Sequence, residues 1–121
     1  MFRFEKLDVW QKAIDYAGYV YEETQRFPSD ERYGLTSQMR RVAVSVSSNI
    51  AKGSGRTSDM NFARFVEIAY GSLMETVSQS QIANLQGWIQ TEGCDELRQR
   101  ADQLARMLSG LRSSLTKRRN S

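Results

Sequence analysis

The sequence predicts an all-α protein, an up-down-up-down antiparallel four-helix bundle. Three observations lead there. Apolar residues recur at steps of three and four along most of the 121-residue chain, the period of helices with one buried face. The one proline, Pro28, and the glycines at 34, 53/55 and 93 cut the chain into four pieces of helical length. The only strand-like alternation, Val42-Ala43-Val44-Ser45-Val46, has no second strand to satisfy its backbone groups.

The first helix is expected over about 6–26, with the stripe Leu7, Trp10, Ala13, Ile14, Ala17, Val20, Tyr21 and Thr24. Asp8 suits the positive end of its dipole, and Phe27-Pro28 ends it because a residue before proline is pushed out of the α region. The second, about 36–52, carries Leu35, Met39, Val42/Ala43, Val46 and Ile50 at helical spacing, which outweighs the local alternation. The third is expected over about 58–90, capped by Ser58 with Asp59 in its first turn. Its apolar residues spread wider than one stripe, which favours contact on more than one side. Gly71 and Gly87 fall inside this span and are expected to mark close packing, since each weakens a helix by about 1 kcal/mol relative to Ala. The fourth, about 95–117 with Asp95 as cap, steps through Leu97, Ala101, Leu104, Leu108, Leu111 and Leu115 as a heptad seam. A basic tail, 117–121, follows within the same single domain.

Composition removes whole classes of chemistry. There is no His and one Cys, Cys94, so Cys/His zinc sites, Ser-His-Asp triads and internal disulfides are excluded within one chain. No carboxylate spacing resembles a metal loop, so neither metal nor cofactor is expected. The adjacent pairs Glu22/Glu23 and Asp30/Glu31 point to different sides of a helix and do not converge as acid–base catalysis requires. A non-enzymatic role is therefore expected. Asp95 and Glu96 beside Cys94 disfavour a reactive thiolate. The start, MFRFEKLDVW, has no signal-peptide core, and no apolar run approaches a membrane span, so the expected location is cytoplasmic.

The net charge of +3 is unevenly placed. Residues 33–58 hold 4 basic groups and no acidic one, and residues 94–121 hold 7 basic and 3 acidic groups. Between Ser45 and Arg56 the chain reads SVSSNIAKGSGR. It fails as a phosphate loop, because Lys52 precedes the glycines and no strand leads into them. A left-handed stop to the second helix is expected at these glycines, with the N-terminus of the third helix and Arg56 as the alternative, an anion site. Ser45, Ser47, Ser48 and Asn49 form helix poorly on a solvated face, which suggests that the face is packed. Ser47, Asn49 and Glu75 are expected to form a structural polar network, with Glu75 pairing to Arg40, Arg41 or Asn49.

Three segments carry a family resemblance: FEKLDVWQKAIDYA, FPSDERYGLTSQMRRVAVSVSSNIAKGSGR and FARFVEIAYGSLMET. In this order, over roughly residues 4 to 90, they resemble the four-helix-bundle family of 23S rRNA intervening-sequence proteins. Relatives of that family include the accessory variability proteins of diversity-generating retroelements. Two positions depart from the pattern: Lys52 stands where Glu is usual and Tyr70 where Arg is usual. The resemblance implies a ring-like homo-oligomer, a pentamer. It also implies that retroelement relatives bind a reverse transcriptase and nucleic acid through basic surfaces.

Two non-enzymatic roles follow. The first is an oligomeric adaptor that touches RNA or DNA backbone through Arg40, Arg41, Lys52, Arg56, Arg112, Lys117, Arg118 and Arg119, repeated around a ring. The alternative is a protein-interaction scaffold with no nucleic-acid binding. In it Tyr16 and Tyr19, off the apolar stripe, are exposed anchors whose replacement by Ser leaves folding intact.

Overall fold

Four helices account for most of the chain: α1 (Asp8–Thr24), α2 (Leu35–Ser54), α3 (Asp59–Leu85) and α4 (Thr91–Asn120). A computed structural model describes the backbone of residues 1–120 and the side chains of residues 1–117. Short 3-10 turns, Arg3–Lys6 and Ser29–Glu31, precede α1 and α2. No strand occurs among the described residues. Neighbours in sequence pack side by side, and α1 closes the cycle against α4. Short connections alternate the helix directions, as in an antiparallel bundle. One end of the bundle thus collects the ends of α1 and α3 and the starts of α2 and α4. The other end collects the 3-10 turn Arg3–Lys6, the end of α2, the start of α3 and the end of α4.

The core is a continuous set of buried residues, among them Ala13, Val20, Met39, Val46, Ile50, Phe62, Val66, Leu73 and the α4 leucines 97, 104, 108 and 115. The α4 heptad seam is buried as expected, with Leu111 packed at its edge. On α1 the buried face is turned from the predicted stripe. Tyr16 and Tyr19 are buried at 2% and 9% exposure, whereas Ile14 and Tyr21 are each 42% exposed. Neither buried tyrosine is the predicted anchor, because each hydroxyl finds a partner inside the bundle. The Tyr16 hydroxyl lies 2.7 Å from Thr76 Oγ1 on α3, diagonally across the bundle. Thr76 gives its one proton to the Leu73 carbonyl at 2.6 Å, so Tyr16 is the donor. Tyr19 donates to the Gly93 carbonyl at 2.9 Å. Burial pushes both phenols up to about 12 from 10.0.

The glycines exchange the predicted roles. The end of α2 is not left-handed: Gly55 has φ −86°. Gly53 instead lies within the helix, where a Cβ would come 2.7 Å from Phe65 Cβ and 2.8 Å from Phe62 Cδ1. Glycine here permits the close approach of α2 to α3. The left-handed residue is Gly87, at φ 78°, and it ends α3 at Leu85, short of the predicted 90. Gly87 N–H donates to the Asn84 carbonyl at 3.0 Å and Trp88 N–H to the Ala83 carbonyl at 2.9 Å, the two bonds of a Schellman stop. Gly71 has no neighbour within 4 Å among the described residues, so it does not mark tight packing. Ser58 caps α3 as predicted, accepting from Asn61 N–H at 3.1 Å. Asp95 does not cap α4. That helix starts at Thr91, and the first turn is closed by Cys94 N–H donating to the Gln90 carbonyl at 2.9 Å.

Three variants test these contacts. Gly53→Ala should lower stability by about 1–3 kcal/mol through overpacking. Gly18→Ala, at an exposed α1 position with no neighbour within 4 Å, should raise it by about 1 kcal/mol. Urea unfolding of the two variants reads both signs. In alkali, the neutral Tyr16 phenol is favoured by the fold, since its pKa is raised from 10.0 to about 12. Its contribution is complete below pH 10.0 and is lost as pH rises to about 12. Tyr16→Phe should flatten that alkaline loss while costing about 1 kcal/mol at neutral pH for the missing hydrogen bond. Unfolding free energy measured across pH tests both parts.

Candidate nucleic-acid interface

The basic residues singled out in the sequence divide between the two ends of the bundle. At the first end the chain leaves α1 through Phe27-Pro28, makes its 3-10 turn, and enters α2 past Gly34. Glu31 caps this entry, accepting from Leu35 N–H at 3.2 Å. The result is a depression of about 360 Å³ lined by Tyr21, Arg32, Tyr33, Thr36, Ser37, Arg40 and Arg41. Arg40 is pinned. Its Nε donates to Thr24 Oγ1 at 2.9 Å, its Nη2 donates to the Tyr21 carbonyl at 3.3 Å, and its guanidinium lies 4.6 Å from the Tyr21 ring. A cation at the C-terminal end of α1 also suits that helix dipole. Arg41 is exposed and donates only to Ser37 Oγ, at 3.3 Å. Arg32 lies 5.6 Å over the ring of Tyr33, which is 88% exposed.

At the second end are Lys52, Arg56 and Lys117, all exposed. Arg56 lies 4.7 Å over the Phe65 ring. Arg3 joins them, donating to the Ser54 carbonyl at 3.1 Å and lying 5.2 Å over the Phe62 ring. Leu115 and Thr116 of α4 share a depression with Met60, Ala63 and Arg64 of α3, which puts the end of α4 beside the start of α3. The side chains of Arg118 and Arg119 lie outside the described residues. Arg40 and Ser54, the last residue of α2 before Arg56, are separated by roughly 21 Å of helix rise. Arg112 belongs to neither group: its Nε is 2.6 Å from Glu67 Oε1, and this half-exposed pair compensates its charge.

Three residues of the first end are absent from the nucleic-acid-binding candidates that the sequence suggests: Arg32, Tyr33 and Tyr21, the two tyrosines being read there only as interface anchors of a scaffold. Arg3 is the corresponding omission at the second. The signal for two of them was present, an Arg-Tyr dipeptide just after a proline turn. The predicted polar network does not assemble. Ser47 Oγ donates to the Val44 carbonyl at 2.9 Å and Asn49 Nδ2 to the Ser45 carbonyl at 2.7 Å. Exposed Glu75 accepts from Gln79 Nε2 at 3.5 Å, and no ion pair among the described residues reaches it. The polar contact that does join α2 to α3 is Ser45 Oγ to Ser72 Oγ at 2.7 Å. Of the residues expected on a packed face, Ser47 is buried, while Ser45, Ser48 and Asn49 are half-buried and Ser45 alone reaches α3.

The two departures from the family pattern are also apart. Lys52 is exposed on α2, whereas Tyr70 lines depressions shared with α4. No hydrogen bond, ion pair or ring contact among the described residues joins them. The outer face of α3 carries Ile68, Gly71, Glu75, Ser78, Ile82 and Leu85, all exposed, at steps of 3, 4, 3, 4 and 3. Its apolar members, Ile68, Ile82 and Leu85, make a partial second seam, interrupted by Gly71, Glu75 and Ser78, that the chain itself leaves uncovered. No group of three or more metal-ligating side chains occurs among the described residues. None of the described helices is long and apolar enough to cross a membrane.

No curated protein matches the chain. The family model described as 23S rRNA-intervening sequence protein matches residues 5–110. With a four-helix structure and a match over most of its length, the chain belongs to the 23S rRNA-intervening sequence protein family.

Proposed function

We propose that this protein is a non-enzymatic, oligomeric adaptor of the cytoplasm that associates with RNA through the basic surface of α2. One observation carries the reading. The acid-free segment 33–58 is displayed along α2, with Ser37, Arg41, Ser48 and Lys52 spaced to share one helix face. Arg41 and Lys52 are exposed, and about three helical turns separate them. Such a row contacts phosphates without reading sequence. A net charge of +3 makes a weak binder of one protomer. Repetition of the row around a ring supplies the rest by avidity. The uncovered α3 seam supports self-association, and the family resemblance supports a pentamer as its form. The same resemblance supports a nucleic-acid enzyme, such as a reverse transcriptase, as the protein partner. The α3 seam favours a second reading as well, a protein scaffold that binds no nucleic acid.

Binding of an RNA duplex and an RNA–DNA hybrid at rising salt, with particle mass recorded on the same sample, separates the readings. Micromolar binding that falls steeply with salt is expected. Arg41→Glu with Lys52→Glu should lower the slope of log K against log salt by about 1 for each phosphate that is no longer neutralised. An oligomer that binds neither probe at low salt would favour the scaffold. The assembly has its own test. Ile68→Glu with Ile82→Glu should reduce the particle to a single chain at unchanged helix content. An unchanged mass would place the subunit contact elsewhere.

A further inference from the structure

Resting on the RNA reading above, we infer that the depression between the end of α1 and the start of α2 holds one unstacked nucleobase of a single strand together with its phosphate. Three arginines, Arg32, Arg40 and Arg41, line it with two tyrosines and two hydroxyl side chains, and no carboxylate lines it. At about 360 Å³ it falls within the roughly 300–1,000 Å³ range of small-ligand sites.

The lining residues divide the work. Arg40 is fixed by two hydrogen bonds and by the Tyr21 ring, so it is a preset positive charge on the wall. Arg41 is held only by a 3.3 Å bond to Ser37, which a phosphate oxygen can displace at little cost. Tyr33 supplies the platform. It is 88% exposed, more than any other described aromatic residue. Its one ring contact among the described residues is the Arg32 guanidinium, 5.6 Å away. A ring with a guanidinium on one face and the other face open is an arrangement that stacks a base while nearby arginines meet its phosphate. Thr36 and Ser37 add hydroxyls within reach of the same depression. The acidic turn before α2 stands outside the lining: Glu31 is turned to the Leu35 N–H at 3.2 Å, and neither it nor Asp30 is among the residues that line the depression.

The chemistry selects a single strand. In a duplex the base faces are already stacked and unavailable to Tyr33, whereas unpaired loops and ends can splay a base onto an aromatic ring. A strand also brings flanking phosphates toward Arg41 and the row beyond it on α2, which a free nucleotide cannot do.

The test compares a short oligouridylate with an RNA duplex of the same length, using the full chain and fluorescence anisotropy. The wild-type protein should favour the single strand. Tyr33→Ala should weaken single-strand binding by about tenfold or more and leave duplex binding unchanged, while Tyr33→Phe should keep the single-strand affinity. Because Tyr33 is exposed, Tyr33→Ala is expected to fold, and its circular dichroism spectrum checks this. Uridine monophosphate should compete only at far higher concentration than the strand. Equal competition by the mononucleotide would overturn the strand assignment. Single-strand binding unaffected by Tyr33→Ala would overturn the inference, while salt-dependent binding of both probes would leave the broader RNA reading standing. Failure of both probes to bind would overturn both.

Discussion

The close seam between α2 and α3 is the constraint on which the rest of the molecule depends. Gly53 lets α2 lie against Phe62 and Phe65 with no Cβ between them, and Ser45 meets Ser72 at 2.7 Å further along. Two fixed points along one helix pair set both its approach and its rotation. With that rotation set, Met39, Ala43, Val46 and Ile50 fill the core. Arg40 meets the end of α1, and Arg41 and Lys52 are left outside. Small polar residues that would weaken a solvated helix are thus the ones that permit this packing. A β-branched or large side chain at 45 or 53 would separate the two helices and turn the basic row.

A second set of polar contacts fixes α1. Its apolar side chains allow more than one rotation about the helix axis, because Ile14 and Tyr21 or Tyr16 and Tyr19 could equally face inward. Hydroxyl partners make the observed one possible. Tyr16 reaches Thr76 across the core and Tyr19 reaches the Gly93 carbonyl at the start of α4. A buried hydroxyl without a partner costs about 1–3 kcal/mol, and these two bonds remove that cost, so both rings can be buried without penalty. This rotation leaves Tyr21 at the surface, where its ring supports Arg40.

What could be read in advance follows from how local the signals are. The existence of four helices, the Ser58 cap and the α4 seam rest on spacing and capping chemistry within a few residues, and each appears in the structure. The roles of Gly53 and Gly87 could not be told apart locally, since both glycines lie in helical pattern. One is required by a neighbouring helix and the other by its own backbone angle. Glu75 reads as a core residue because apolar residues surround it in sequence. It lies instead on an exposed face of α3, because apolar neighbours in sequence do not say which side of a helix turns to the core. The basic residues were visible as a set, but their division between two ends depends on the antiparallel fold. Arg112 leaves that set because Glu67 lies beside it, 45 residues away in sequence.

Aromatic rings bear on how these charges can work. Arg32, Arg40, Arg3 and Arg56 each lie over a ring, two at each end of the bundle, and together they make four of the five such contacts among the described residues. A free arginine loses rotamer freedom when it grips a phosphate. An arginine already resting on a ring has given up part of that freedom on folding, yet its planar edge still offers donors. Lysine cannot substitute in this role, because its compact ammonium neither stacks nor presents a fork. Arginine at these four positions therefore suits the proposed contact with phosphate at set places better than lysine would. A protein with little net charge has more need of such placement than a strongly basic one.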